Sequence, residues 1–394
     1  MSPATAISTD VSARLRGVIR RALFGLVVAY ATLIAVSYAT GIWYVDARGD
    51  PVAVDFVAFW AAGKLVLQGE AVAAYDWAAH KAVAVSALGV GFDGHFSFQY
   101  PPTFLMATAA LAPMAYLPAL LCWVVLGLAG YAAAIRAIAG NWLPVMAALA
   151  WPATLWNAVV GQNGLLAAAL LGGALALLDR RAAAAGLLLG LLTFKPQFGL
   201  LIPVALIAGG YWRAVAWAAA TALGLAALSV LVLGWEAWAG FLQSAATVNT
   251  AILTDGGTGF AKLQSLYGWL RAMGVSSGLA WAAHAAFAAL LAAVVLRAWR
   301  GRAPFDIRAA VLAAATLLAS PYAFVYDFAV LAVPLAFLGR SGFTLGETLL
   351  VLVAGLLIAW GPAEMVPNAL AAGLIVLGMA LVRWRRGSGA LAGN

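Results

Sequence analysis

Six short polar stretches interrupt a chain that is otherwise almost wholly apolar, and they carry the side chains of acid–base and anion chemistry. Asp55 opens "DFVAFW". His95, Gln99 and Tyr100 lie in "HFSFQYPP", Gln162 and Asn163 in "GQNG", and Lys195 in "TFKPQF". Lys262 and Arg271 bracket "KLQSLYGWLR", and Tyr326 and Asp327 lie in "SPYAFVYDF". A carboxylate can act as a general base, whereas lysine, arginine and amide groups suit charge developing on an anionic leaving group. Each residue also has a plainer reading. Asp55 is a favoured helix N-cap type, Asp327 could close a helix start, and Lys195 could snorkel to a membrane surface. Gln162 and Asn163 could simply form a turn, and His95, Gln99 and Tyr100 could serve loop packing before Pro101-Pro102. His284 sits among alanines, where a helix-to-helix hydrogen bond is the expected role. His80 is expected on a solvated outer helix.

The missing motifs narrow the chemistry. The chain has no Walker loop, no dinucleotide-binding glycine fingerprint after a strand, no HExxH and no DxD. Nothing is built to hold a metal–nucleotide complex, and neither a metal nor a cofactor is expected. The single cysteine, Cys122, excludes an internal disulfide and a cysteine-based metal cluster.

These side chains must be positioned by membrane helices. Hydrophobic residues make up 65% of the 394 residues and charged residues 9%, too few charges to cover a water-soluble domain. The whole chain, 1–394, reads as one integral membrane domain in a lipid bilayer, all-α and polytopic. The net charge of +8 marks cytoplasmic loops rather than a nucleic-acid partner. A span needs about 20 apolar residues, and about twelve crossings are expected, including short broken ones. They are 22–44, 116–137, 142–159, 163–178, 182–194, 197–210, 213–233, 277–298, 307–321, 325–339, 344–361 and 367–383. With Arg14, Arg16, Arg20 and Arg21 cytoplasmic, this count puts sixteen of the 22 basic residues inside. The count requires 182–210 to be a hairpin broken at Lys195-Pro196, since proline interrupts a helix. It also makes 103–112 an arm that dips into the membrane without crossing. Two large loops, about 46–102 and 234–276, then lie outside and carry amphipathic helices, with both termini cytoplasmic. All six polar stretches fall at the outer face, and ionisable groups at membrane depth usually mark a functional cavity.

The ordered stretches resemble glycosyltransferase family 87, polytopic GT-C-type enzymes. They are "DFVAFWAAGKLVLQGEAVAAYD", "FQYPPTFLMATAALAPMAYLP", "GQNGLLAAALL", "AGLLLGLLTFKPQFGLL", "QSLYGWLR" and "SPYAFVYDFAVL". The resemblance implies transfer of a sugar, often mannose, from a polyprenyl-phosphate donor to an acceptor hydroxyl on a glycolipid or glycan outside the plasma membrane. Asp55 would be the general base. Lys195, Gln162, Asn163, Lys262 and Arg271 would cradle the donor phosphate and sugar beside Tyr326 and Asp327, with His95, Gln99 and Tyr100 supporting the acceptor. Some relatives carry a histidine where this chain has Tyr326-Asp327, which leaves sugar and acceptor open. One base predicts inversion; retention would need a second carboxylate, for which Asp327 is the candidate. The competing classes are a transporter or lipid flippase, which broken helices and a membrane-level lysine also suit, and a non-catalytic envelope-assembly protein.

Overall fold

A computed structural model describes residues 3–42, 45–46, 48, 52–89, 91–92, 96–257, 259–301, 303–362 and 366–392. Among these residues the regular elements are all helical, and Leu263 and Phe324 form an isolated antiparallel bridge. Five helices are long and apolar enough to cross a membrane: Gly17–Ala39, Tyr116–Ala139, Trp212–Leu233, Ser277–Arg300 and Asn368–Gly387. A sixth crossing results if Leu143–Leu149 and Pro152–Val160, bent by 52° at their junction, are taken together. The bend has a local cause, because Pro152 cannot continue the preceding helix. Each of the other six expected segments falls on a shorter helix or helix pair. Five or six helices are thus long and apolar enough to cross, and the other expected segments are carried by shorter helices.

The centre of the molecule is Phe305–Leu318 followed by the turn 320–324 and the helical run Val325–Gly339. Every residue from Ala309 to Leu318 is buried, the signature of a helix apolar on all sides and enclosed by protein. Ser277–Arg300, Gly164–Leu177 and Asn368–Ala392 pack around it. The 182–210 stretch breaks as its sequence predicts. Ala182–Leu191 tightens into a 3₁₀ turn, Lys195 is non-helical, and a second 3₁₀ turn begins at Pro196. Small residues set its packing on Trp212–Leu233: a Cβ on Gly190 would come within 2.4 Å of the Thr221 Cβ, and one on Gly186 within 2.5 Å of the Ala214 carbonyl. Helices in lipid associate closely through such positions.

Broken helices free carbonyls that lipid cannot hydrate. Here aromatic side chains satisfy them. Trp151 Nε1 donates to the Phe328 carbonyl (3.1 Å) and the Tyr131 hydroxyl to that of Ala329 (3.2 Å). Trp123 Nε1 donates to Gly161 (3.0 Å), Trp156 Nε1 to Ile358 (3.2 Å) and Trp60 Nε1 to Met114 (3.0 Å).

Two expectations about the 46–102 segment need correction. The helix Phe56–Leu67 is not amphipathic: Phe56 through Gly63 are all buried, with Lys64 and its C-terminal end at the surface. Its apolar sequence is enclosed by Pro102–Ala109 and Trp77–Leu88. His80 is not solvated. It is buried on Trp77–Leu88, and its ring Nε2–H donates to the Ala58 carbonyl (2.9 Å), tying the two helices together. Burial holds its pKa below the ordinary value, so the ring is neutral near pH 7.

Candidate active site

The GQNG turn is the mechanical centre of the site. Gly161 ends Pro152–Val160 in a left-handed conformation (φ 67°), which glycine adopts without the steric cost of a Cβ. A Cβ there would stand 2.6 Å from the Phe56 Cβ. A Cβ on Gly164 would stand 2.5 Å from the Tyr326 carbonyl oxygen. The turn is therefore pressed between the residue after Asp55 and the residue before Asp327. Asn157, buried one turn earlier, clasps it from below: oriented to meet complementary groups, its amide donates to the Gln162 carbonyl and accepts from the Gly164 N–H, both at 2.8 Å. Sequence reasoning missed Asn157. A lone amide inside an apolar segment just before GQNG is the signal that could have found it.

A second set of contacts brings in the 260–271 stretch. The Gln264 N–H donates to the Ala323 carbonyl (2.7 Å) and the Ser265 hydroxyl to that of Pro321 (2.8 Å). The Ala369 N–H donates in turn to Gln264 Oε1 (2.9 Å). These bonds align the Leu263–Phe324 bridge and place Lys262 at the mouth of the site.

The result is a cavity of about 720 Å³ lined by Asp55, Gln162, Lys195, Lys262, Tyr326 and Asp327, with Gln99 and Tyr100 also on its wall. Its size lies within the range of about 300–1,000 Å³ usual for small-molecule sites. Asp55 occupies the N-cap position of Phe56–Leu67, yet its side chain makes no capping bond. Its Oδ2 instead accepts from Gln162 Nε2 (3.1 Å). Burial raises the Asp55 pKa; the Gln162 hydrogen bond and the charge of Lys262 lower it again, and the charge of Asp327 raises it. Tyr100 directs its hydroxyl to Gln162 Oε1 (3.4 Å), and burial raises its pKa so that it stays a protonated donor.

Asp327 has the opposite surroundings. It is buried, forms an ion pair with equally buried Lys195, and its Oδ2 accepts from the Phe324 N–H (3.0 Å), closing the start of the 325–331 helical turn. Lys195, expected as an open cation, is thus held by a carboxylate, although it still faces the cavity. Lys262 is the exposed lysine of the lining. Arg271 does not line the cavity. Its guanidinium donates to the carbonyls of Val275 (2.9 Å) and Thr254 (2.7 Å) and lies over the Phe260 ring, fastening the 254–275 loop. Asn163 is buried behind the wall and contributes its N–H to Gln162 Oε1 (3.2 Å). Gln99 donates to the Ser97 hydroxyl (3.0 Å). His95 lies outside the described residues. His284 makes the expected helix-to-helix contact, with Nε2 3.2 Å from the Ala319 carbonyl.

No curated protein and no solved structure matches the chain. Residues 98–321, more than half of it, match the model of glycosyltransferase family 87. The matched stretch holds the GQNG turn, the Lys195 break and the Lys262 segment; Asp55 lies well before its start, and Asp327 lies shortly after its end. The chain belongs to glycosyltransferase family 87 and is a membrane glycosyltransferase.

Proposed function

We infer that the cavity transfers a hexose, such as mannose, from a polyprenyl-phosphate donor to a hydroxyl of a glycolipid or glycan acceptor. Asp55 takes the acceptor proton as that oxygen attacks the anomeric carbon. The bond to the phosphate oxygen breaks, and lipid phosphate leaves with the electron pair. Phosphate is a good leaving group, so no strong acid and no metal is required; Lys262 supports the growing negative charge. The observation that carries this reading is the state of Asp55: a carboxylate on the cavity wall that does not cap its helix and, among the described residues, forms no ion pair. Asp327 has one oxygen on Lys195 and the other on a backbone N–H. That favours a single base and inversion over a covalent intermediate.

A lipid-linked donor enters from the bilayer, and the distribution of basic residues supports a reaction at the extracytoplasmic face of the plasma membrane. Cysteine labelling in sealed cells checks this: Ser86→Cys and Ser244→Cys react and Ser388→Cys does not. A labelled Ser388→Cys overturns the orientation. The activity test is Asp55→Asn in purified protein given polyprenyl-phosphate mannose, polyprenyl-phosphate glucose and a membrane lipid extract, with products read by mass spectrometry. Asparagine caps helices about as well as aspartate but cannot accept the proton. Transfer within a few-fold of wild type at equal thermal stability removes Asp55 as the base.

A further inference from the structure

The Gln162 side chain can sit in only one sense. Its Oε1 faces the backbone N–H of Asn163 (3.2 Å), a group that only donates. Its Nε2 faces Asp55 Oδ2 (3.1 Å), which as a carboxylate only accepts. Exchanging the two ends of the amide would set donor against donor and acceptor against acceptor. The Tyr100 hydroxyl adds a second donor on the oxygen side (3.4 Å). The turn itself cannot drift, because Gly161 abuts Phe56 and Gly164 abuts the Tyr326 carbonyl.

We propose that Gln162 is the positioning residue of the general base: its amide nitrogen occupies one oxygen of Asp55, leaving the other to receive the acceptor proton. This role rests on the reading of Asp55 as base. It differs from a role for Gln162 as a phosphate ligand alone, because one of the two N–H groups of its amide nitrogen is directed at Asp55. A hydrogen bond to the charged form of a carboxylate also favours ionisation. The other groups that bear on Asp55 are Lys262, which favours its charge, and Asp327, which opposes it. Tyr100 and Tyr326 face the same cavity.

The test needs no substrate. Infrared titration of the protein in lipid nanodiscs, with Asp55→Asn subtracted, isolates the protonation of the Asp55 carboxyl. Gln162→Met removes the donor and keeps the bulk. A hydrogen bond to a charged group corresponds to a shift of about one to two pH units, so the Asp55 midpoint moves upward by that amount. The acid limb of the transfer rate moves with it. If Gln162→Met does not purify folded, Gln162→Asn keeps an amide but withdraws it from Asp55 by one methylene, and the midpoint moves in the same direction. A midpoint within about 0.3 unit of wild type in the folded variant overturns the positioning role, whatever Asp55 does. A shifted midpoint together with full transfer by Asp55→Asn overturns the base, and with it the catalytic meaning of Gln162.

Discussion

Asp55 and Asp327 are the same side chain on the same cavity wall, and their surroundings make them opposites. Asp327 is buried against Lys195 and ties down the start of its own helical turn. Asp55 sits at a helix start without capping it and faces a neutral amide. A carboxylate neutralised in the interior is committed to structure, because removing either partner leaves an uncompensated charge. A carboxylate held by one neutral donor keeps an oxygen available and a pKa that burial has raised. The contrast separates a brace from a reactive group more firmly than residue type does.

The comparison breaks most plainly at Asp55. The general-base contribution is on the order of 10²–10⁴-fold, so Asp55→Asn loses that much turnover with little change in melting temperature. Asp327→Asn shows the reverse pattern. Breaking a buried pair from one side costs about 3–5 kcal/mol, so Asp327→Asn and Lys195→Met each fold poorly. The double variant recovers part of the loss, because no lone charge is left inside. Thermal unfolding in detergent reads this directly; two single variants as stable as wild type would mean that the pair is not a brace. The smallest effect belongs to Lys262. Lys262→Met raises the donor concentration needed for half-maximal rate about tenfold, the equivalent of about 1.4 kcal/mol, and leaves stability unchanged. An unaltered donor dependence would take Lys262 out of the phosphate contact.

Much of this arrangement is legible in the sequence, because it rests on local rules. The breaks at Lys195-Pro196 and at GQNG follow from proline and glycine, and the gathering of six polar stretches follows from the cost of placing them in lipid. Pairing is a different matter. Nothing in the order of residues says that Lys195 meets Asp327, 132 positions away, because the partner of a buried charge is fixed by how helices pack. Arg271 and His80 were misplaced for the same reason. A cation near a polar motif and a histidine on a loop helix look available until the neighbouring carbonyls of Thr254 and Val275, or of Ala58, are in view. Asn157 was missed because its function is to hold a turn that its own helix leads into.

The aromatic donors at the helix breaks have one more consequence. In water, a carbonyl released by a bend is hydrated at once, so an irregular backbone costs little. Inside a bilayer no such solvent is at hand, yet this chain bends at its functional centre, beside Gly161, Phe328 and Ala329, and again at Ile358. At each of these places an indole or phenol arrives from another part of the chain to do what a water molecule would have done. At Ile358 and Ala329 the same oxygen also accepts a backbone N–H, from Gly361 and Ala332, so the aromatic donor there supplies a second bond. The protein thus carries a covalently attached substitute for solvent at the backbone breaks beside its polar site.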